Sequence, residues 1–262
     1  MSERNTVLEV KNLAIGYRTK GGTIPVSQNI NFALEEGKLV GLVGTNGIGK
    51  STLLKTIIDM IPSLDGNILF KGVNSKELSI ANLAKQISVV LTEPLATKNL
   101  TALELVALGR QPYTNWIGSL NSKDKFKIDD AFKRTQIEDL KHKKCFEMSD
   151  GQLQKVLIAR ALAQDTPLMI LDEPTTHLDM YHKAFILNLL KKLAVQTNTT
   201  ILFSTHELDM AIQICDELIV MLPNDIKFGT PKELIEEGVF DKLFPNDLIS
   251  FDKEIEAFKV IK

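Results

Sequence analysis

A glycine-rich loop between an apolar run and a helical pattern is the most constraining feature of this sequence. Residues 44–52 read Gly-Thr-Asn-Gly-Ile-Gly-Lys-Ser-Thr. The apolar run at 39–43 is typical of a buried parallel strand, and apolar residues then recur at helical spacing from 53 to 61, until Pro62 ends the pattern. A loop of this kind between a strand and a helix binds phosphate, because its glycines let backbone N–H groups face the β- and γ-phosphates.

The side chains of this loop add a cation and a hydroxyl. Lys50 is expected to reach the same phosphate oxygens, and the Ser51 hydroxyl is expected to ligate Mg²⁺. The alternative is a glycine-rich turn with a solvated lysine, which the strand-loop-helix context disfavours. The predicted nucleotide-binding residues of the loop are Gly44, Asn46, Gly47, Gly49, Lys50, Ser51 and Thr52. A nucleoside triphosphate is therefore the predicted ligand.

Composition limits the possible partners and compartment. The chain has 262 residues, 44% of them hydrophobic, and a formal net charge of -2, so there is no overall basic field for nucleic acid. The first five residues lack the apolar region of a signal peptide, and no stretch approaches the roughly 18 apolar residues that cross a bilayer. Cys145 and Cys215 lack metal-ligand spacing, which suits a reducing compartment. We expect a cytoplasmic protein that does not bind nucleic acid.

The order of strand and helix patterns predicts one α/β domain over residues 1–262. Alternating residues at 8–10 and 30–34 predict an antiparallel sheet before the loop. Apolar strands then return at 168–173, 200–206 and 218–222, and their alternation with helices predicts a mainly parallel central sheet.

Two further segments are expected to be helical. Strand signals vanish from 101 to about 164, which predicts a helical subdomain, about residues 95–165, inserted between strands of one sheet. Thr101 and Glu104 form a capping-box pattern there, and the charged run 123–130 predicts an exposed helical face. The tail from Pro231 is also predicted to be helical.

Three polar residues follow apolar strands, where ligands bind in parallel sheets. Asp172 is expected to hold Mg²⁺ or its waters, and Glu173 to orient or deprotonate an attacking water, although either acid could instead cap a helix. His206 ends another strand and is expected beside the γ-phosphate, the alternative being a core histidine. Tyr17 could stack on a purine, but its spacing alone favours packing.

A second motif connects these features to a known family. Residues 148–152, Met-Ser-Asp-Gly-Gln, resemble the signature of the ABC transporter ATPases, usually Leu-Ser-Gly-Gly-Gln. Ser149 and the Gly151 amide at a helix N-terminus could receive a phosphate, although an N-capping serine explains the same residues. The spacing to residues 171–179 and 204–207 favours the family, whose pattern runs from Tyr17 to His206.

The resemblance implies a P-loop NTPase fold and a role for each matching residue. Tyr17 matches the adenine-stacking aromatic residue, which reverses the preference from spacing. Glu173 matches the catalytic base, His206 the switch histidine and Asp179 the aspartate of dimer communication. Lys50, Ser51 and Asp172 match the contacts to phosphate and Mg²⁺.

The resemblance also implies partners. Two ATPase subunits of this family pack head to tail with ATP between them, so Ser149, Gly151 and Gln152 are expected at the γ-phosphate bound by the partner subunit. The resemblance implies that this homodimer acts on transmembrane permease subunits at the cytoplasmic face of the cell membrane, and is linked through them to an extracytoplasmic substrate-binding protein. The expected activity is ATP hydrolysis coupled to transport.

Two positions depart from the family pattern. Thr92 stands where a Mg²⁺-contacting glutamine is expected, so either a water bridges the gap or the adjacent Glu93 takes the place. Asp150 replaces the first signature glycine, and we expect it to point outward, because a carboxylate is unfavourable near a phosphate.

The branch of the family is indicated by short segments. Residues 108–113, the signature with its aspartate and residues 176–179 resemble importers of iron-siderophore, haem and cobalamin complexes. The loop from Thr92 to Pro94 and the helical insert should then accept a coupling helix of the permease. The alternatives are an exporter ATPase, and a soluble ABC ATPase that acts on ribosomes or nucleic acid.

Overall fold

Strands and helices alternate along most of the chain in the computed structural model, which describes residues 5–93, 95, 97–115, 118–223, 225–244 and 248–261. The strands are β1 (Thr6–Thr19), β2 (Gly22–Glu35), β3 (Leu39–Gly44), β4 (Asp65–Phe70), β5 (Val73–Asn74), β6 (Ile87–Val90), β7 (Leu168–Leu171), β8 (Thr200–Ser204), β9 (Glu217–Leu222), β10 (Asp225–Gly229), β11 (Ile249–Asp252) and β12 (Ala257–Val260). The α-helices are α1 (Lys50–Ile57), α2 (Ile80–Leu83), α3 (Ala102–Ala107), α4 (Ser122–Thr135), α5 (Asp150–Ala163), α6 (Met180–Thr197), α7 (Leu208–Ile214) and α8 (Pro231–Glu236). Short 3₁₀ helices cover Ser75–Glu77, Leu108–Tyr113, Glu138–Leu140, Cys145–Glu147 and Phe240–Lys242.

A six-stranded sheet in the order β10-β9-β3-β8-β7-β6 forms the centre of the fold. Its pairs from β9 to β6 are parallel, and β10 joins β9 antiparallel. Strand β3 is apolar along its whole length because both of its faces are buried. Leu39 and Val43 belong to one hydrophobic cluster, and Val40 and Leu42 belong to another. Both faces are therefore covered, as in other parallel sheets, and the predicted mainly parallel sheet is confirmed.

An antiparallel sheet in the order β2-β1-β4-β5 precedes and follows the glycine-rich loop in sequence. Its inner residues, such as Leu8 and Ile15, share one hydrophobic cluster with Leu53 of α1 and Leu42 of β3. The predicted N-terminal antiparallel sheet is confirmed. Tyr17 lies on its strand β1, and the packing of this sheet on α1 and β3 fixes the position of that strand.

The described residues between β6 and β7 form helices joined by loops, with one isolated β-bridge between Thr101 and Lys144 and no strand. Helices α3, α4 and α5 bury their apolar faces in a cluster of their own. The capping box is present at α3, where the Thr101 N–H donates to Glu104 Oε2 over 2.7 Å and the Glu104 N–H donates to Thr101 Oγ1 over 3.2 Å.

Two local predictions were wrong. The helix after the glycine-rich loop ends at Ile57, four residues before the last apolar residue of the pattern, because Asp59 takes a left-handed conformation with φ 62°. In the described part of the tail, helix is limited to α8 and the short 3₁₀ helix at Phe240–Lys242, and the antiparallel hairpin β11-β12 follows. Phe251 and Phe258 of this hairpin pack on Phe240 with ring centroids 4.9 and 6.3 Å away. This tertiary packing overrides the local helical pattern.

The charged run in α4 is also less exposed than predicted. Asp124 is fully buried, and its Oδ1 accepts a 2.9 Å hydrogen bond from Nε of the equally buried Arg110. Arg110 donates in addition to the Ala163 carbonyl over 2.7 Å and lies over the Tyr113 ring. The buried pair joins the segment after α3 to α4 and to the end of α5.

Replacing Asp124 with Asn is expected to reduce the free energy of unfolding by about 3 kcal/mol, because it leaves the buried Arg110 guanidinium without a countercharge. Asp129→Asn, on the same helix, is the matched control. It removes a solvent-exposed ion pair to Lys141 and should cost less than about 1 kcal/mol. Urea denaturation measures both values, and equal losses would contradict a special contribution from the buried pair.

The same pair gives a pH dependence. Burial alone would raise the pKa of Asp124, but hydrogen bonds from the Asn121 backbone and the Arg110 side chain outweigh it and hold the pKa below its ordinary value. The corresponding stability is therefore present above the ordinary pKa and is lost as the pH falls through the lowered one. Urea denaturation should show Asp124→Asn losing less stability than the parent as the pH falls below about 4.

Candidate active site

The glycine-rich loop folds as a tight connection between β3 and α1, in which two glycines take conformations that side chains disfavour. Gly47 has φ 77° and Gly49 has φ 114°. A Cβ atom on Gly49 would lie 2.4 Å from Val26 Cγ1, so any side chain there would collide with β2. The loop therefore keeps its backbone close to the sheet, and α1 begins directly after it at Lys50.

Lys50 holds a buried cation at the base of this loop. Its Nζ donates to the Gly44 carbonyl over 2.9 Å and lies 3.4 Å from His206 Nδ1. Burial lowers the pKa of the Lys50 ammonium, although the carboxylates of Glu173 and Asp172 act in the opposite direction. A bound anion would compensate this desolvated charge, which suits the site to phosphate.

A group of oxygen donors meets at Asp172, directly after β7. Asp172 Oδ1 accepts hydrogen bonds from Ser51 Oγ over 3.1 Å and from Ser204 Oγ over 2.6 Å, and its Oδ2 accepts one from Thr92 Oγ1 over 3.2 Å. Carboxylate and hydroxyl oxygens are hard ligands of the type that Mg²⁺ prefers, usually with one or two carboxylates and the substrate phosphates. The donor set at Asp172 therefore fits Mg²⁺.

The two candidates for the missing glutamine differ in their contacts. Thr92 reaches the Asp172 carboxylate directly. Glu93 is exposed, and its Oε1 accepts a 3.1 Å hydrogen bond from Lys55 Nζ, one helical turn beyond Ser51. Pro94, at the end of the same predicted loop, lies outside the described residues.

Glu173 is held by its backbone and by both carboxylate oxygens. Its φ of 49° lies in the left-handed region, a strained conformation for a residue other than glycine. Its N–H donates to Ser204 Oγ over 2.9 Å, its Oε2 accepts from Thr176 Oγ1 over 3.1 Å, and its Oε1 lies 2.5 Å from His206 Nε2. Both carboxylate oxygens of Glu173 therefore have a hydrogen-bond partner in the site.

His206 connects the carboxylate to the buried lysine. A carboxylate only accepts hydrogen bonds, so the hydrogen lies on Nε2 and is donated to Glu173. The other nitrogen, Nδ1, then accepts from the Lys50 ammonium. A neutral imidazole satisfies both partners at once, and the side chains of Lys50, His206 and Glu173 form one chain of hydrogen bonds.

These residues border a cleft of about 530 Å³. Tyr17 stands at its rim, 45% exposed, and its hydroxyl lies 2.9 Å from Thr52 Oγ1. The aromatic ring is thus accessible beside the loop, whereas spacing alone favoured a packed residue. The residues that line the cleft are Tyr17, Val26, Asn46, Gly47, Gly49, Lys50, Ser51, Thr52, Glu173 and His206.

The signature residues lie elsewhere in the same chain. Ser149 caps α5, accepting from the Gln152 N–H over 3.3 Å, while Gln152 Oε1 accepts from the Ser149 N–H. Asp150 is exposed, as expected from its charge. Among the residues that the structure describes, none from 149 to 152 lines the cleft at Lys50. Asp179 caps α6 and accepts from the His182 N–H over 2.8 Å.

Sequence reasoning missed two residues of the site, Ser204 and Thr176. Ser204 ends β8 and donates to Asp172 while accepting from the Glu173 backbone. Its position at a strand end beside β7 was the signal that could have identified it. Thr176 reaches Glu173 through a turn whose conformation has no comparable sequence signal.

Sequence comparison finds a matching family and several similar proteins. A sequence model of the ABC transporter family matches residues 27–176. An uncharacterized ABC transporter ATP-binding protein of Methanocaldococcus jannaschii is 36% identical over 97% of this chain and 87% of its own length. The iron(3+)-hydroxamate import ATP-binding protein FhuC of Bacillus subtilis is 35% identical, over 92% and 88%. The achromobactin transport ATP-binding protein CbrD of Dickeya dadantii is 33% identical, over 92% and 89%.

The solved structures that resemble this chain include ABC transporters and their ATP-binding cassettes. An inward-facing putative metal-chelate type ABC transporter contains a chain that superposes with a TM-score of 0.79 and 27% identity, covering 97% of this chain and 96% of its own. A dimeric ATP-binding cassette in a post-hydrolysis state, bound to ADP and Pi, superposes with a TM-score of 0.73 and 27% identity, covering 86% and 98%. In the described part of this chain, no helix has both the length and the apolar character needed to cross a bilayer.

Proposed function

Because the chain belongs to the ABC transporter family, we propose that it is the ATP-hydrolysing subunit of an importer for iron-siderophore, haem or cobalamin complexes. The connected cluster of Lys50, His206, Glu173, Asp172 and Ser51 at one edge of the sheet is the observation that carries the ATPase part. Relatives named for import of iron(3+)-hydroxamate, petrobactin and cobalamin support the cargo class. The chain is an ATPase of this family.

Each residue of the cluster has a proposed task in the attack of water on the γ-phosphorus. Lys50 and the loop amides bind the β- and γ-phosphates, and Tyr17 stacks on adenine. Glu173 accepts the proton of the attacking water as the bond from the γ-phosphorus to the bridging oxygen breaks, which gives ADP and phosphate. His206 orients Glu173 through its Nε2 hydrogen. Ser51 and Asp172 would hold Mg²⁺, which offsets phosphate charge when it is bound.

The other half of the site is proposed to come from a second copy. Ser149 is exposed and Gln152 is half-buried at the start of α5, next to the buried Gly151. All three lie away from the cleft at Lys50. In a head-to-tail homodimer they would contact the γ-phosphate bound by the partner subunit. The dimeric cassettes among the similar structures support this arrangement.

The permease is proposed to bind beside the helices that follow β6. A cleft of about 170 Å³ lies between the core and the helical segment proposed as a subdomain at about residues 95–165. Thr92, Lys98, Leu153 and Thr176 are among its lining residues, so a coupling helix placed here would contact both parts. In the proposed arrangement the protein would lie at the cytoplasmic face of the membrane, and a substrate-binding protein would act on it indirectly through the permease.

Purification of the tagged chain from solubilised membranes tests the proposal. We expect a multi-spanning permease to be retained, and Mg²⁺-dependent ATP hydrolysis to rise more steeply than linearly with protein concentration, as a dimeric site requires. Ribosome-stimulated hydrolysis without a retained permease would instead support the soluble class, and cargo efflux from vesicles that contain the complex would support an exporter.

The role of Thr92 has a separate test. Thr92→Val keeps the shape of the side chain but removes the hydroxyl beside Asp172, so half-maximal hydrolysis is expected to need about tenfold more Mg²⁺. Glu93→Gln is the matched variant and should leave the Mg²⁺ requirement unchanged, because Glu93 contacts Lys55. Titration of Mg²⁺ at saturating ATP measures both, and the reverse pattern would assign the role to Glu93.

A further inference from the structure

His182 lies in the first turn of α6, three residues after Asp179, and is fixed by that carboxylate. Its backbone N–H and its ring Nδ1 both lie 2.8 Å from Asp179 Oδ1. Because a carboxylate only accepts, Nδ1 carries a hydrogen and the ring has one orientation. Hydrogen bonds from the backbone and the ring of His182 hold the pKa of Asp179 below its ordinary value, so the carboxylate remains charged.

The other edge of the same ring covers the signature segment. A Cβ atom on Gly151 would lie 3.2 Å from His182 Cδ2 and 3.8 Å from His182 Nε2. Gly151 is buried, and it is the second residue of α5. One imidazole therefore lies in the first turn of α6 and close beside the first turn of α5.

This contact is on an open face of the molecule. Met180 and Tyr181, which separate Asp179 from His182, are 73% and 75% exposed. The Tyr181 ring stands perpendicular to the His182 ring, with centroids 5.6 Å apart. Ser149 and Asp150, at the start of α5, are also exposed, so both turns carry residues that a second copy can reach.

We propose that His182 is a positioning residue that locks Asp179 and the signature residues Ser149 to Gln152 into one rigid unit, which each subunit presents to the nucleotide of its partner. This inference rests on the proposed head-to-tail dimer. Hydrogen bonding to Asp179 fixes the ring, and packing of the ring on Gly151 fixes the distance between the two turns. Their relative position is thus set before the partner arrives, which reduces the entropy lost on dimerisation.

The test measures ATP-dependent dimerisation in the Glu173→Gln variant, in which ATP is not consumed. Adding His182→Ala is expected to raise the protein concentration at the midpoint of dimerisation about tenfold, because a hydrogen bond to a charged group and the ring contact are both lost. His182→Asn keeps a donor for Asp179 without the ring and should recover part of that loss. His142→Ala, at an exposed histidine after α4, is the matched control and should leave the midpoint unchanged.

Two further readouts separate positioning from a structural role. In His182→Ala, binding of a fluorescent ATP analogue to monomers is expected to remain that of the parent, and the unfolding temperature is expected to fall only slightly, because the lost hydrogen bond lies at the surface. Unchanged dimerisation, or a loss fully explained by weaker monomer binding or lower stability, would overturn the inference. A Glu173→Gln parent that stays monomeric at saturating ATP would contradict the proposed function itself, and the inference would fall with it.

Discussion

Replacement of Glu173 with Gln is expected to abolish ATP turnover while ATP-bound dimers persist. The amide keeps the size of the side chain and an oxygen that can accept from His206 Nε2, so the cleft should retain its shape. It cannot accept the proton of the attacking water, however, and loss of a general base costs about 10²–10⁴-fold in rate. Phosphate release under steady-state conditions and light scattering of the ATP complex measure the two effects.

The control for this variant is Glu254→Gln, which makes the same chemical change at an exposed position in the turn between β11 and β12. It should hydrolyse ATP at the parent rate. Hydrolysis by Glu173→Gln at close to the parent rate would show that the base assignment is wrong. Loss of both turnover and dimers would indicate that the carboxylate also supports nucleotide binding, through its contact with His206.

The parts of the fold that were predicted from sequence are those that local patterns determine. The strand before the loop is apolar throughout because both faces of β3 are covered, and the glycines at 47 and 49 are needed for their backbone conformations. Asp172 and His206 were located by a rule of topology, since the carboxyl ends of parallel strands meet at one edge. In each case the sequence pattern that predicts the feature lies within a few residues of it.

The features that were missed depend on contacts distant in sequence. Asp124 looks like part of a solvated charged run, but Arg110, 14 residues earlier, draws it into the interior. The hairpin β11-β12 exists because Phe251 and Phe258 pack on Phe240, a contact between rings that no local periodicity predicts. Ser204 enters the site only because β8 pairs with β7. The sequence therefore predicts the polar residues at the strand ends, but not side chains such as Ser204 that join them by hydrogen bonds.

Replacement of Lys50 with Ala is expected to lower the ATPase rate by roughly 10²-fold or more, as removal of a preorganised charge-stabilising group does in other enzymes. The buried ammonium is held by the Gly44 carbonyl and by His206 Nδ1, so it is oriented before the nucleotide binds. Its removal also leaves Nδ1 without a donor, and His206 then loses one of the two bonds that orient it toward Glu173.

Lys71→Ala is the control, because it removes an exposed lysine that pairs with Glu36 in the N-terminal sheet. Its ATPase rate should equal that of the parent. Binding of a fluorescent ATP analogue distinguishes the two contributions of Lys50: weaker binding reports the lost phosphate contact, and a lower rate at saturating ATP reports the lost stabilisation of charge in the transition state. An unchanged ATPase rate in Lys50→Ala would refute the role of the loop, because Lys50 supplies the positive charge that the loop is proposed to bring to the phosphates.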